Sequence, residues 1–375
     1  MQPSMIQSDP GWIIGPISTV FGYIIDFIYQ ALAWITPVNA LGFSIIIMTM
    51  IIRGGLVPSQ LKMQQNSRKT QIIKPEMDKI RAKYGDTRDP ELRRKMSAEI
   101  QALNQKHGIN MMASCLPMLV TMPIFIALFA VFGRAFLFIP SITEAYSAVS
   151  QSIIDLGPTF YRDVVRELVR AYVPSGMELQ GHLVEDLNRA LHVFSETDWN
   201  VLFGVLEGQT VAEIYANYGV TLRAVRDGAL VNLTDANLEF VRSTIENVPA
   251  GLANVRHHHN EMLGIQTFFG LNLVTPSGIR WPGIIIPILS VLSMVYSSFQ
   301  MTRMNPATDP QAKMMQRVTT YVLPVMFGWF TITAASAVGL YWTVGNIFLI
   351  AQNLIVHRFF PHKVGAASAE EKSGK

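Results

Sequence analysis

The chain alternates between long apolar stretches and polar segments, and the apolar stretches are long enough to cross a membrane. A transmembrane helix needs about 20 mostly apolar residues. The pattern predicts five such spans, at 39–57, 111–135, 281–301, 318–336 and 338–357. Several contain prolines, which are tolerated in lipid only where neighbouring helices satisfy the freed carbonyl groups. The sequence therefore predicts a packed all-α bundle rather than isolated anchors.

The segment before the first span, residues 1–38, contains an amphipathic stretch at about 15–35. Apolar side chains recur there at helical spacing, with polar side chains between them. The carboxylate of Asp26 would be costly at the centre of a bilayer. This favours a helix lying in the plane of the membrane interface, and a sixth span is the alternative interpretation.

Composition supports a membrane protein. Charged residues make up 15% of the chain and hydrophobic residues 50%, whereas soluble domains carry about 25% charged residues. The mean hydropathy is +0.27. The single cysteine, Cys115, excludes a disulfide framework and any multi-cysteine metal site, and we expect it to be a small packing residue.

Charge asymmetry between the polar segments predicts the orientation in the membrane. Residues 58–110 hold twelve Lys or Arg against six Asp or Glu, whereas 136–280 hold nine Arg against sixteen Asp or Glu. The loop 302–317 and the tail 358–375 are also basic. The basic segments are predicted to be cytoplasmic and the acidic segment extracytoplasmic, with the N-terminus outside and the C-terminus inside.

The basic segment 58–110 has the pattern of a helical hairpin. One arm is predicted at 59–83, and the other begins at Asp89 and Pro90 and ends before Gly108. The arms are expected to meet through Ile72, Ile73, Met77 and Ile80 on one side and Leu92, Met96, Ile100 and Leu103 on the other. A solvated basic loop, kept on the cytoplasmic side by its positive charge, is enough to explain the composition. A docking arm for nascent chain, ribosome or anionic lipid is a compatible, sharper interpretation.

Arg53 stands out because it lies inside a predicted span. It is about 20 Å from the outer end of that span and less than about 10 Å from the cytoplasmic end. An arginine within a span costs about 3 kcal/mol or more, and no predicted span contains an acidic residue. The side chain either snorkels to the inner interface or occupies a wet cavity open to the cytoplasm.

Other polar side chains support the cavity. Gln300 closes the third span at a depth that we expect to be close to that of Arg53. The last two spans hold Thr331, Thr333, Ser336, Thr343, Asn346, Gln352 and Asn353. Serine and threonine can bond to their own helix, but asparagine and glutamine are harder to bury. The indole of Trp342 lies deep in its span, where its N–H needs a partner.

Several ordered motifs carry a resemblance to a known family. They are IIRGGLVP followed by KPEMDKIRAKYG, then SCLPMLVTMPIFIALF, FFGLNLVTPS, PGIIIPILSVLSMVYSSFQMTRM and GLYWTVGNIFLIAQNLIVHR. Together they extend over about 230 residues. In this order they resemble the YidC/Oxa/Alb family of membrane protein insertases, in its five-span form.

The resemblance implies a fold and candidate site residues. It implies an all-α integral membrane protein with five transmembrane helices around a hydrophilic groove, open to cytoplasm and lipid, and an N-terminal interfacial helix. The family's groove arginine falls on Arg53, its groove glutamine on Gln300, and its aromatic position on Trp342, preceded by Tyr341. Asn346 is added as a groove residue because it is a polar residue within the same span.

The resemblance also implies a function without covalent chemistry. Substrates would be nascent membrane proteins with short polar or acidic tails, and membrane lipids would be partners. The partners would extend to the Sec translocon and the ribosome, but not to a specific nucleic acid. We expect no enzyme activity, no catalytic residue and no cofactor, and the chain has no GxxxxGK[ST] loop.

The sequence departs from the five-span pattern between the second and third spans. Residues 141–262 form an insertion that is expected to be a small, mainly α-helical domain, with helices at 143–156, 158–172, 183–194, 211–218 and 235–248. A histidine run at 257–259 is interpreted as part of a solvated loop rather than a metal site, because consecutive histidines on a helix cannot all face one ion.

Two other function classes fit parts of the sequence. A secondary transporter would explain Arg53 and the polar residues of the last spans, but the chain has no evident inverted repeat and five spans do not divide evenly. An assembly chaperone that acts beside the Sec translocon, without moving chains itself, is the closer alternative. The sequence does not separate it from an autonomous insertase.

Overall fold

The computed structural model describes residues 11–85, 89–109, 111–157, 183–192, 194–226, 229–304 and 310–359. The chain divides into two compact units. The first unit combines the chain up to Ser44 with Ile126–Val274, and the second combines Ile45–Phe125 with the chain from Thr275.

Helices make up most of the described residues. In chain order they are α1 (Gly11–Ile35), α2 (Ala40–Ile72), α3 (Lys74–Tyr84), α4 (Pro90–Lys106), α5 (Met111–Gly133), α6 (Ala135–Phe138), α7 (Pro140–Ile154), α8 (Leu183–Leu191), α9 (Glu196–Leu206), α10 (Val211–Tyr218), α11 (Asp235–Ser243), α12 (Val248–Gln266), α13 (Ile285–Met304), α14 (Pro310–Arg317), α15 (Leu323–Thr333) and α16 (Ser336–Phe359). Two antiparallel hairpins join them, β1 (Arg223–Arg226) with β2 (Ala229–Asn232) and β3 (Thr267–Phe268) with β4 (Leu271–Asn272).

Four helices are long and apolar enough to cross a membrane within the described part of the chain. They are α1, α2, α13 up to Arg303, and α16 up to Val356. This confirms an all-α membrane protein. Three of the four coincide with predicted spans, and α1 is the helix predicted to lie at the interface. The predicted spans 111–135 and 318–336 fall on α5 and on the stretch through α15, so the count of five stays a prediction.

The helical hairpin of residues 58–110 differs from the prediction at its first arm. Helix α2 continues without interruption past Pro58 to Ile72, and a turn at Ile73 separates it from α3. The break has a local cause, because Pro75 has no N–H group to continue the hydrogen-bond ladder of α2. The predicted arm 59–83 is therefore two helical pieces, the first of which belongs to α2.

The second arm of the hairpin forms as predicted. The Asp89 carboxylate accepts a hydrogen bond from the Glu91 N–H at 2.9 Å and caps α4, and Gly108 follows the end of the helix with a φ of 61°. Between the arms, Lys83 pairs with Glu99 at 3.1 Å. The expected apolar contact is wrong at its ends, where Ile72 is 70% and Leu92 38% exposed. It is retained in the middle by half-buried Met77, Ile80, Met96, Ile100 and Leu103.

The last two predicted spans are separated slightly earlier than expected. Ala334 is extended and Ala335 forms a bridge to Pro276, so the break lies before Ser336 rather than between the predicted spans 318–336 and 338–357. The Ser336 N–H donates to the Thr275 carbonyl at 2.9 Å. Before α15, one π-helical turn covers Val318–Val322. Pro324 explains it, because its missing N–H disturbs the α-helical ladder.

In the first unit, α1 packs its polar face against protein. Ser18 donates to the Ala127 carbonyl at 3.2 Å, and the Asp26 carboxylate accepts from the Ser141 N–H at 2.8 Å. Both side chains are buried. The opposite face is apolar and exposed, and it carries Trp12, Ile13, Val20, Tyr23, Phe27, Trp34 and Ile35. The buried partners remove the cost of Asp26 that the sequence alone suggested.

Gly22 allows a close approach of α1 to the end of α6. A Cβ atom built at this position would lie 2.0 Å from the Phe138 carbonyl oxygen. We expect Gly22→Ala to lower the free energy of unfolding by about 1–3 kcal/mol, because a backbone atom must shift. Thermal unfolding in detergent measures this, with Gly54→Ala as the control, since nothing lies within 4 Å of that site. Equal midpoints for the two variants would contradict the assigned contact.

The insertion is mainly helical, and it also contains the hairpin of β1 and β2. Predicted helix 211–218 coincides with α10, and predicted helix 158–172 lies outside the described residues. Side-chain capping boxes at Ser195, Thr210 and Thr234 start α9, α10 and α11. The two β-hairpins were not predicted from the sequence. The histidine run was expected in a loop, and this is wrong, because it lies in the middle of α12.

Candidate functional site

The site in the second unit is built around Arg53 on α2. Its guanidinium carbon lies 6.0 Å from the centre of the Tyr341 ring on α16, and Tyr341 itself is buried. One turn further along α16, a Cβ atom at Gly345 would lie 2.6 Å from a terminal nitrogen of Arg53. Gly345 therefore leaves the space that the guanidinium group fills.

The charge of Arg53 is not matched by an acidic residue of the neighbouring helices. Apolar helices α2, α13, α15 and α16 contain no Asp or Glu. The Arg53 Nε atom is buried and has no hydrogen-bond partner within the described residues. The side chain as a whole is half-buried. A cation in this setting attracts an anionic group more strongly than it would in water, because the effective dielectric constant is lower.

A chain of three amide side chains connects α2, α16 and α13. The Gln64 side-chain amide donates to the Asn353 Oδ1 atom at 2.9 Å, and the Asn353 side-chain amide donates to the Gln300 Oε1 atom at 3.2 Å. Gln64 and Asn353 are buried, and the oxygen atoms of Gln64 and Gln60, one turn apart on α2, have no partner within the described residues. We call Gln64, Asn353 and Gln300 the amide chain.

The amide chain lies at a different level from Arg53. Gln64 follows Arg53 by eleven residues on α2, about 16 Å, and Asn353 follows Gly345 by eight residues on α16, about 12 Å. The expectation that Gln300 and Arg53 share a depth is therefore wrong, because Gln300 belongs to the amide chain and accepts a hydrogen bond from Asn353. Polar side chains instead occur at successive levels along the same helices.

Hydroxyl groups line the seam between α13 and α16. Ser290 bonds to the Gly339 carbonyl at 3.1 Å and to the Thr343 hydroxyl at 2.9 Å. Asn346, next to Gly345, donates to the Ser293 hydroxyl at 3.4 Å. Asn346 is thus held beside the level of Arg53 by α13.

Tyr341 and Trp342, although adjacent in sequence, have different surroundings. Tyr341 lies beside Arg53, whereas the Trp342 ring stacks on Phe327 at 4.3 Å and meets the edge of Phe125 at 5.4 Å. The Trp342 indole N–H is buried without a partner in the part of the chain that the structure describes. Of the two aromatic residues, Tyr341 is the one placed next to the arginine.

Sequence reasoning missed two residues of this region, Gln60 and Gln64. They were assigned to a separate hairpin arm, and the continuous helix α2 places them seven and eleven residues after Arg53. That spacing puts all three side chains on one helical face. The spacing was visible in the sequence, but it is informative only if the helix continues through Pro58.

Comparison with known proteins decides the family. The family model described as "60Kd inner membrane protein" matches residues 34–160 and 247–363, more than half of the chain. The chain belongs to the YidC/Oxa/Alb family. The two matched ranges leave out 161–246, which lie within the insertion, and include Arg53, Gln300, Tyr341 and Trp342.

Individual relatives give the same result. The chain is 36% identical over 115 residues to membrane protein insertase YidC 1 of Bacillus cereus, covering 30% of this chain and 44% of that protein. It is 34% identical over 146 residues to membrane protein insertase MisCA of Bacillus subtilis, covering 39% and 49%. YidC of Alkalihalophilus pseudofirmus is 33% identical over 133 residues, covering 34% and 49%. The chain thus spans less than half of the length of these relatives.

Proposed function

We propose that this protein is a membrane insertase that carries short polar segments of nascent membrane proteins across the bacterial cytoplasmic membrane. The observation that supports this most directly is Arg53, a half-buried cation among apolar helices that supply no acidic partner. A structural cation would be expected to have such a partner, since an uncompensated charge in a span is costly. A free cation is available to an incoming anionic group.

The mechanism follows from the cost of moving polar groups through hydrocarbon. A polar tail loses its water in the lipid and cannot replace the lost hydrogen bonds. In the proposal, a hydrophilic groove open to cytoplasm and lipid shortens the dry distance. Arg53 attracts acidic residues of the tail, and the apolar part of the substrate then moves into the lipid. The membrane potential helps an acidic tail to move outward.

The amide chain has a complementary part in the proposal. Amide side chains both donate and accept hydrogen bonds, so Gln64, Asn353 and Gln300 suit any polypeptide backbone whatever its charge. Their level along α2 and α16, about 12–16 Å beyond Arg53, is the cytoplasmic side in the proposed orientation. A tail entering from the cytoplasm would meet the amides before it reaches the arginine.

The orientation and partners belong to the same proposal. The N-terminus is placed outside and the C-terminus inside, with α1 at the outer interface and its exposed apolar face toward lipid. Helices α3 and α4 would guide the incoming chain, and the Sec translocon and ribosome would be further partners. Five spans and no catalytic step complete the proposal.

The experiment that tests the function is insertion into vesicles that contain only this purified protein. The substrate is a single-span protein with a short acidic tail, and protection of the tail from added protease measures insertion. We expect protection well above that in protein-free vesicles. Background-level protection by the folded protein would reject an autonomous insertase in favour of the assembly chaperone that acts with the Sec translocon.

Variants of the amide chain make a separate prediction. We expect Asn353→Ala to reduce insertion about 3–10-fold for acidic and neutral tails alike, because it removes the central amide of the chain and its two hydrogen bonds, worth about 1 kcal/mol each. The same protease-protection assay measures it. The matched control is Thr333→Ala, an exposed position whose hydroxyl donates to the Phe330 carbonyl of its own helix. A loss restricted to acidic tails would contradict a charge-independent role.

A further inference from the structure

Helix α12 of the inserted domain brings together three side chains that bind metal ions. His257 precedes Glu261 by four residues and His258 precedes it by three, so both histidines lie next to the carboxylate on one helical face. The third histidine turns the other way, and the His259 ring packs on Trp199 with ring centres 4.2 Å apart. The run thus divides into one core residue and two outward residues.

Each histidine nitrogen lies from the carboxylate at a distance that suits a shared metal ion. His257 Nε2 lies 3.4 Å from one Glu261 carboxylate oxygen, and His258 Nδ1 lies 3.2 Å from the other. A tetrahedral site with bonds of about 2.0–2.1 Å separates neighbouring ligand atoms by about 3.3 Å. All three candidate ligand atoms lie within 4.8 Å of one another.

We propose that His257, His258 and Glu261 form a binding site for a divalent transition-metal ion, with Zn²⁺ as the fitting ion. Two imidazole nitrogens and a carboxylate are a ligand set that Zn²⁺ takes, with water in the remaining position. Ca²⁺ and Mg²⁺ prefer oxygen ligands throughout. The site is accessible, since His257 is 65% and Glu261 58% exposed at the side chain.

The surroundings of the three side chains favour a cation. His258 and Glu261 line a cavity of about 930 Å³ to which α7 contributes a second carboxylate, Glu144. The neighbouring cation on α12, Arg256, is paired with Glu207, so its charge is already balanced. The cavity is large enough for water to reach the ion and fill the remaining coordination position.

The alternative is a hydrogen-bonded cluster without metal affinity, because the same distances also suit histidine–carboxylate pairing. Titration distinguishes the two. The full chain, with any affinity tag removed and treated with chelator, is purified in detergent and titrated with Zn²⁺ against a chromophoric chelator. Co²⁺ is added in a second titration, since its visible absorption reports nitrogen and oxygen coordination.

We expect one ion per chain to bind at micromolar concentration or tighter. Binding should weaken at least 10-fold in Glu261→Gln and be lost in the double variant His257→Ala, His258→Ala. The control is the double variant His357→Ala, His362→Ala, which removes the same number of the eight histidines and should bind as the parent does. Thermal unfolding and circular dichroism show that each variant is folded.

Two results would overturn the proposal. One is a parent protein that binds no more Zn²⁺ than the His257, His258 double variant. The other is an ion that still binds to Glu261→Gln with the parent's affinity but is lost in the His357, His362 double variant.

Discussion

Replacing Arg53 with alanine is expected to reduce insertion of substrates with acidic tails at least 10-fold. Two unit charges about 4 Å apart attract each other by about 4 kcal/mol at an effective dielectric constant of 20, and a third of that energy already corresponds to a tenfold change in rate. Arg53 is half-buried and no acidic residue of the neighbouring apolar helices competes for it. Protease protection of the tail in vesicles gives the rate.

The size of the effect should follow the charge of the tail. We expect Arg53→Ala to affect a tail with neutral residues at the acidic positions by less than about 3-fold. Arg53→Lys should retain part of the activity, because the charge remains while the planar, five-donor guanidinium group is lost. The matched control is Arg303→Ala, an arginine at the end of α13 that lies over the Phe299 ring and not beside Tyr341.

The same series separates the two interpretations of an arginine in a span. A snorkelling arginine only keeps its own charge hydrated and does not contact substrate. Its removal should therefore leave insertion unchanged or improve protein stability. An arginine that binds substrate should show a loss that grows with each acidic residue of the tail. Equal insertion of acidic and neutral tails by Arg53→Ala and by the parent would contradict the role proposed for this residue.

Local signals predicted the helix ends well. Asp89, Pro90 and Gly108 mark the ends of α4 because capping depends on side chains within a few residues of the helix end. The break between α15 and α16 was also placed within a few residues, because small residues interrupt a long apolar stretch. Such features require no knowledge of distant contacts.

Features that depend on distant contacts could not be predicted from the sequence. Asp26 looked too costly for the centre of a bilayer, but its burial in protein was not foreseen, because its partner, the Ser141 N–H, lies more than a hundred residues later. Gln300 was placed at the level of Arg53 because depth was judged from the span alone. Its bond to Asn353 shows a different level. Gln64 was assigned to a separate hairpin arm because the first apolar span was judged to end at residue 57.

For the histidine run 257–259, one prediction from the sequence was right and another was wrong. The argument that consecutive histidines cannot all face one ion from a helix holds, because His259 packs inward on Trp199. The loop assignment was wrong, because Asn247 and Pro249 begin a helix that includes all three histidines. Once the residues are helical, the position of Glu261 relative to His257 and His258 becomes meaningful.

Acid is expected to unfold the inserted domain at a higher pH than it unfolds an ordinary domain of this size. Burial lowers the pKa of His192 to about 4, and burial also lowers the pKa of His259 to about 4. In the unfolded chain both would titrate near 6.5. The His192 Nε2 atom hydrogen-bonds to the Gly133 carbonyl at 2.9 Å while Nδ1 is buried without a partner in the described structure, so the folded domain holds the neutral ring.

The sign of the effect follows from these values. A histidine whose pKa is depressed by folding binds fewer protons in the folded state than in the unfolded state, so stability falls as the pH falls. The contribution of each ring is complete above about pH 6.5 and is lost between there and about pH 4. For His192 the loss amounts to about 2–3 kcal/mol at pH 4.5, and His259 acts in the same direction.

The unfolding midpoint in detergent, followed by tryptophan fluorescence between pH 7.5 and 4.5, measures this loss. Trp199 reports directly, because His259 packs on its ring. We expect the double variant His192→Gln, His259→Phe to flatten the pH dependence, whereas His107→Ala, an exposed residue of the hairpin, should leave it unchanged. A buried neutral histidine stabilises a domain only while it stays neutral. A midpoint that is constant down to pH 4.5, or a slope that persists in the double variant, would show that these two rings do not control the stability of the domain.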